Sequence, residues 1–171
     1  MDNERQIRSV SALIALGGNV GDVRATFREA IVDLCRMAQA ALIARSSDYA
    51  TPPWGDENQE PFVNACIEIE TSLEPHALLA VMQEVERKFG RQRDKARRWG
   101  PRTLDLDLIA YGDVSLQEPE LTLPHPLLFE RAFVLVPLAE IAPDRVIGDT
   151  TVRTALASLS RHGIERLPDS D

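Results

Sequence analysis

Gly90 to Gly112 reads GRQRDKARRWGPRTLDLDLIAYG. In its second half Leu104, Leu106, Leu108 and Ala110 alternate with Asp105, Asp107, Ile109 and Tyr111. A period of two predicts a strand with one apolar face. It puts both aspartates on the opposite face, roughly 6.5–7 Å apart along the chain. The first half carries Arg91, Arg93, Lys95, Arg97, Arg98 and Arg102. Eight of the 19 lysines and arginines lie between Arg87 and Arg102, on a chain whose net charge is −8. Basicity concentrated on an acidic background suits a local anionic partner. Two carboxylates this close repel each other unless a cation lies between them. Two Mg²⁺ ions about 3.5–4 Å apart would satisfy them, and all-oxygen donors favour Mg²⁺ over zinc. A solvated strand face beside a solvated basic loop fits the same residues, and the strand alone leaves both readings open.

The elements before this stretch are set by their periodicity. Val10 to Gly17 reads as a buried strand. Asp22 is a good helix cap, with Val23, Phe27, Ala30, Ile31 and Leu34 at helical spacing behind it. Ala41 to Thr51 reads as a second strand, ended by Pro52 and Pro53, which offer no N–H to a ladder. Phe62 to Thr71 reads as a third. Val63, Ala65, Ile67 and Ile69 form its apolar face, and Phe62, Asn64, Cys66 and Glu68 face the other way. Pro75 opens a helix with a stripe of Leu78, Leu79, Met82, Val85 and Phe89, closed by Gly90. Gln83 and Glu86, a turn apart on it, point toward the basic stretch.

Beyond Gly112-Asp113, residues 114–123 suggest a short hairpin arm. In Pro124-His125-Pro126 two prolines aim a histidine rigidly. Residues 127–138 read as partly helical. Pro137, Pro143 and Gly148 interrupt the next stretch, and Asp149-Thr150 caps a last helix to about Leu159. The order strand, helix, strand, strand, helix, strand predicts an α+β, ferredoxin-like βαββαβ core. Its sheet is predominantly antiparallel and packed with helices, with a C-terminal extension. We expect one domain over 1–171, frayed at 1–8 and 162–171.

Composition narrows the classes. The 44% hydrophobic content is ordinary for a globular chain. No run reaches the length of a membrane span, and MDNERQIRSV has no apolar signal core, so a cytoplasmic protein is expected. Cys35 and Cys66 lie in apolar surroundings and read as core residues of a reducing compartment. The phosphate-binding pattern G-x-x-x-x-G-K-[ST] is absent. Gly17-Gly18-Asn19-Val20-Gly21 does not meet the dinucleotide-binding glycine pattern either.

Residues 98–112, RWGPRTLDLDLIAYG, resemble the signature of the 6-hydroxymethyl-7,8-dihydropterin pyrophosphokinases of folate biosynthesis. YATPPWG (49–55), PFVNA (61–65), LTLPHP (121–126) and FERAFVLVPLAEIAP (129–143) are similar to further blocks of that family, in the same order. The resemblance implies an α+β sandwich and transfer of the terminal pyrophosphoryl group of ATP to the pterin hydroxymethyl oxygen, giving AMP. It implies two Mg²⁺ ions held by Asp105 and Asp107. Arg98 and Arg102 would stand nearest the transferred group, with Arg91 and Arg93 on other phosphates. Gln83, Ile109, Thr122, His125 and Arg131 would hold ATP. Thr51, Pro53 and Asn64 would read the pterin edge, Phe133 and Phe62 would flank the ring, Trp54 would sit at the pocket rim, and Trp99 would close over it. In this reading the Gly17–Asn19 turn supports the pterin pocket, and residues 91–101 form a mobile lid. Partners are small molecules only, neither nucleic acid nor membrane, and a monomer is expected. The rival from another class is a ferredoxin-like module that binds RNA through the basic loop, although the sheet lacks an aromatic-rich RNA-binding pattern.

Overall fold

The computed structural model describes residues 8–53, 55, 57–90 and 100–170. Its centre is β1 (Val10–Gly18), from which the chain turns into α1 (Val23–Met37). Asp22 caps α1 by accepting from the N–H of Ala25, and the five apolar residues expected to face the core are the buried ones. The second strand is two: β2 (Ala41–Arg45) and β3 (Tyr49–Thr51). The single strand expected over 41–51 is broken at Ser46–Asp48. There the Ser46 hydroxyl accepts from Cys66 N, and the buried Asp48 carboxylate draws in Arg24 at 2.9 Å and Arg45 at 3.1 Å.

Then come β4 (Phe62–Thr71), α2 (Pro75–Lys88) and β5 (Asp105–Tyr111). A small hairpin joins β6 (Leu116–Gln117) to β7 (Thr122–Leu123), and a 3-10 turn at Leu128–Glu130 leads into α3 (Ala132–Ile141). The rest is β8 (Val146–Ile147), β9 (Thr150–Thr151), α4 (Val152–Ala157) and β10 (Glu165–Arg166).

The main sheet runs β10-β3-β4-β1-β5, with β2 also on β4, and every pairing is antiparallel. With β2 and β3 taken as one strand split in two, this is the ferredoxin-like order. One face packs Ile14, Leu16, Ile67 and Leu106 under Phe27, Leu34, Leu78 and Met82 of α1 and α2. The other packs Leu13, Cys66 and Ile109 under Leu135, Leu138 and Leu156 of α3 and α4. Each such side chain contributes about 1.5–3 kcal/mol by leaving water. Both cysteines are free, and burial pushes their thiols up. No helix among the described residues is long and apolar enough to cross a membrane.

Four expectations are corrected. A β-bulge between β1 and β5 pairs Leu13 with Ala110 and Ile14 with Leu108, leaving Ile109 as the extra residue. Alternation therefore switches there. Ile109 and Ala110 both join the α3 side, and Tyr111 returns to the α1 side, away from the aspartates. Pro137 does not break its helix; it sits buried inside α3. Asp149 and Thr150 do not cap the last helix. Asp149 lies in the β8–β9 turn and Thr150 opens β9, and the hydroxyl of Thr151 makes the cap by accepting from Thr154 N. The end of the chain is not frayed from 162 onward: Glu165 and Arg166 pair with Ala50 and Tyr49.

Candidate active site

The α3-side face of the sheet changes character along its strands. On β1 the inward residues shrink from Leu13 to Ala15 to Gly17. On β4 they run from Cys66 to Asn64 to Phe62, and on β5 from Ile109 to Asp107 to Asp105. The register aligns these series: Ala15 lies between Asp107 and Cys66, and Gly17 lies between Asp105 and Asn64. Where β1 narrows to Gly17 and β5 turns to carboxylates, beyond the start of α3, a cleft opens. It is lined by Ala15, Leu16, Gly17, Thr51, Pro52, Phe62, Asn64, Arg102, Asp105, Asp107, His125, Arg131, Phe133 and Val134.

Each carboxylate faces its own guanidinium. Arg102 Nη1 donates to Asp105 Oδ2 at 2.9 Å, and Arg131 Nη1 lies 3.6 Å from Asp107 Oδ2. The arginine side chains are 14% and 8% exposed and the aspartates 20% and 32%, so the acids are the more open partners. Arg102 Nε is buried without a hydrogen-bond partner among the described residues. The Gly17–Asn19 turn fastens the backbone of Arg102. Asn19 Oδ1 accepts from Arg102 N at 2.9 Å, and Asn19 N donates to Arg102 O at 2.9 Å. Asn19 Nδ2 reaches the other way, to Gln59 Oε1 and Glu60 O, both at 3.0 Å.

At the opposite wall Asn64 Nδ2 donates to Thr51 Oγ1 at 2.7 Å, and both residues are buried. The carbonyl of Arg131 takes the first helical bonds of α3, from Val134 N and Leu135 N, while its guanidinium carbon stands 5.6 Å from the centre of the Phe133 ring. His125 N donates to Ile109 O at 2.9 Å, and Leu127 N donates to His125 Nδ1 at 3.1 Å. A backbone N–H can only donate, so Nδ1 accepts and a neutral ring carries its proton on Nε2. Burial, helped by the nearby charge of Arg131 and opposed by Asp105, pulls the imidazole down to about 4.

Of the residues singled out in the sequence, Thr51, Phe62, Asn64, Arg102, Asp105, Asp107, His125, Arg131 and Phe133 meet at this cleft. Pro53 is outside the lining, where Pro52 stands instead. Gln83 on α2 and Thr122 on β7 are half-buried and outside it too. The side chain of Ile109 is core, and its carbonyl holds His125. Glu86 is buried, and its carboxylate accepts from Leu106 N at 3.2 Å. Trp54, Arg91, Arg93, Lys95, Arg97, Arg98 and Trp99, and most of the expected lid, lie outside the described residues. Sequence reading missed Ala15, Leu16, Pro52 and Val134 as lining, and had Gly17 only in a turn that supports the pocket. The signal for Gly17 was its place opposite Asn64, which only the register reveals.

Asp105 and Asp107 suit a hard divalent cation. Among the described residues no group of three histidines, cysteines or acids converges into a self-contained metal cage. Two carboxylates on one face, with the remaining positions filled by phosphate oxygens and water, is an ordinary donor set for Mg²⁺.

The family model for 7,8-dihydro-6-hydroxymethylpterin-pyrophosphokinase (HPPK) matches residues 13–143. A 2-amino-4-hydroxy-6-hydroxymethyldihydropteridine pyrophosphokinase of Methylorubrum extorquens is 51% identical over 156 residues, which is 91% of this chain and 98% of that one. The Bacillus subtilis protein of the same name is 45% identical over 130 residues, 76% of this chain and 77% of that one. Among solved structures, a Plasmodium falciparum HPPK-DHPS superposes with a TM-score of 0.68 at 13% identity, over 90% of this chain and 46% of that one. This chain thus spans just under half of that solved chain, and the likeness is one of fold. With the matched residues reaching from β1 through α3, the chain belongs to the 7,8-dihydro-6-hydroxymethylpterin-pyrophosphokinase family.

Proposed function

We propose that this chain is an ATP-dependent pyrophosphokinase. It transfers a pyrophosphoryl group from ATP to the hydroxymethyl oxygen of 6-hydroxymethyl-7,8-dihydropterin, releasing AMP and the pterin pyrophosphate for folate biosynthesis. The observation that carries the reading is the pairing, in one cleft, of a carboxylate–guanidinium cluster with an amide–hydroxyl–aromatic wall. The first suits a phosphate chain and the second a flat heterocycle bearing hydrogen-bonding edges.

In this reading Asn64, oriented by Thr51, hydrogen-bonds the pterin edge, and Phe62 and Phe133 flank the ring. Arg102 and Arg131 bind phosphate oxygens, and His125 donates from Nε2. Asp105 and Asp107 hold Mg²⁺, which when bound neutralises phosphate charge and makes the phosphorus more electrophilic. Attack by the hydroxymethyl oxygen on the β-phosphorus forms one P–O bond as the bond to the α-phosphate oxygen breaks; AMP leaves with that oxygen, and the hydroxyl proton is released to water. Such a transfer depends on positioning and fixed charge, which is what residues locked by Asn19, Thr51 and Ile109 supply. The chain works as a single domain and a monomer on small molecules.

The RNA-binding alternative gains no support. Of the cations on the loop that this alternative uses, Arg102 is turned inward onto Asp105, and the others lie outside the described residues. The test is a product assay with ATP, Mg²⁺ and 6-hydroxymethyl-7,8-dihydropterin. AMP formed only in the presence of the pterin is the expected result; ADP, or no turnover by folded protein, would overturn the reading.

A further inference from the structure

We propose that the segment from Arg161 to Pro168 is a strap that positions the Thr51–Pro52 wall of the cleft, and so sets affinity for the heterocyclic substrate. The inference rests on the function proposed above. The segment lies beyond residues 13–143, the part of the chain that the family model matches.

Its target is a weak element. β3 has three residues and would be a sheet edge if only β4 paired with it. Immediately after it Pro52 and Pro53 have no N–H to offer, so no backbone bond donated by either can hold the wall beyond Thr51. The terminal segment supplies the missing side. Glu165 and Arg166 pair with Ala50 and Tyr49, and Leu167 N donates to Asp48 O at 2.8 Å.

Side chains fasten both ends of this contact. Arg24 donates from Nη2 to Pro168 O at 2.7 Å and from Nε to Asp48 at 2.9 Å, tying the strap and the start of β3 to α1. Arg166 Nε donates to Ser47 Oγ at 2.9 Å, and Ser47 Oγ in turn donates to Glu140 Oε1 at 2.8 Å. Tyr49 OH reaches the other oxygen of Glu140 at 2.6 Å. Glu140 belongs to α3, the helix whose first turn carries Phe133.

The strap also touches the lining directly. Gly163 has φ of +78°, and a Cβ placed on it would stand 3.3 Å from Pro52 Cγ. The glycine therefore packs close to the ring of Pro52, a residue that lines the cleft. Thr51, next to it, holds the Asn64 amide. A displacement of the strap thus reaches the substrate-reading groups through two residues and leaves the Asp105–Arg102 side untouched.

The test is steady-state kinetics of the full-length chain and two variants, Gly163→Val and the milder Arg166→Ala, with thermal midpoints measured alongside. Gly163→Val should raise the KM for 6-hydroxymethyl-7,8-dihydropterin by about tenfold, with kcat and the KM for ATP within about twofold, the pattern of lost ground-state binding. Arg166→Ala should move the same constant less, in the same direction. A role in folding alone would lower the thermal midpoint and the active fraction and leave the pterin KM where it was; that result would overturn the strap. So would a parallel rise in both KM values. If the unaltered chain makes no AMP, the proposed function itself fails and the strap fails with it, whereas normal turnover with an unmoved pterin KM removes the strap alone.

Discussion

Gly17 and Asn64 are partners across β1 and β4, and a Cβ on Gly17 would come within 2.9 Å of Asn64 Oδ1. Backbone and amide oxygen are in contact because there is no side chain between them. Gly17→Ala should therefore push the Asn64 amide off its line, while Nδ2 remains drawn to Thr51. We expect the pterin KM to rise about tenfold and stability to fall by about 1–3 kcal/mol, the usual range for an overpacked buried contact. The KM for ATP should not move. Paired titrations of the two substrates check this, and an unchanged pterin KM would show that Asn64 does not read the ring.

Asp105→Asn and Asp107→Asn should each cut turnover by at least about 100-fold, since each removes a cation-binding charge from the reacting end of the cleft. The fold should persist. Both residues lie at the polar end of β5, and asparagine keeps an oxygen that can accept from Arg102 or approach Arg131. Circular dichroism and thermal midpoints establish folding, and AMP release measures turnover. Near-normal rates in both variants would remove the two aspartates from the chemistry.

Much of this was legible in the sequence because simple periods survived folding. Alternation in Phe62–Thr71 assigned both faces of β4 correctly, and alternation in Leu104–Leu108 put Asp105 and Asp107 on one face. Alternation failed at Ile109, where a bulge inserted one residue, and no local signal in LDLIAY marks that insertion. The break at Ser46–Asp48 was hidden for a related reason. It depends on Asp48 meeting Arg24 on α1, a contact 24 residues away in the chain. The site was readable as residue types but not as a place: nothing in the order of residues brings Ala15 or Pro52 to the cleft until strand register and the terminal strand are known.

Asn19 ties the backbone of Arg102 to the loop at Gln59 and Glu60, so its loss should be felt as catalysis as well as stability. Asn19→Ala leaves Arg102 N without its side-chain acceptor and releases Gln59 and Glu60. About 1–2 kcal/mol of stability should go, as for hydrogen bonds at partly buried sites. We expect kcat to fall about tenfold as Arg102 loses its fixed relation to Asp105. Asn19→Asp retains an oxygen facing Arg102 N and should recover part of the rate. If neither variant alters kcat, the turn holds the loop without setting the arginine.

His125 yields a prediction with a defined sign. Its imidazole is held down to about 4 in the folded chain, first by burial and then by the charge of Arg131. Unfolded, it titrates near 6.5. Between these values the unfolded chain binds more protons, so stability contributed by the neutral ring is fully present above about pH 6.5 and is lost as pH falls toward 4. Protonation would also place a proton on Nδ1, opposite the N–H of Leu127, and break that bond. The side chain is partly open to water, so the loss should be less than the full shift implies. Nitrogen NMR of the histidine rings should therefore show His125 neutral at pH 5.5, with its proton on Nε2. His125→Gln should flatten the decline in stability between pH 6.5 and 4. A His125 midpoint near 6.5 would mean that the ring is not held by Leu127 N, and that it enters the cleft as a cation under mildly acidic conditions.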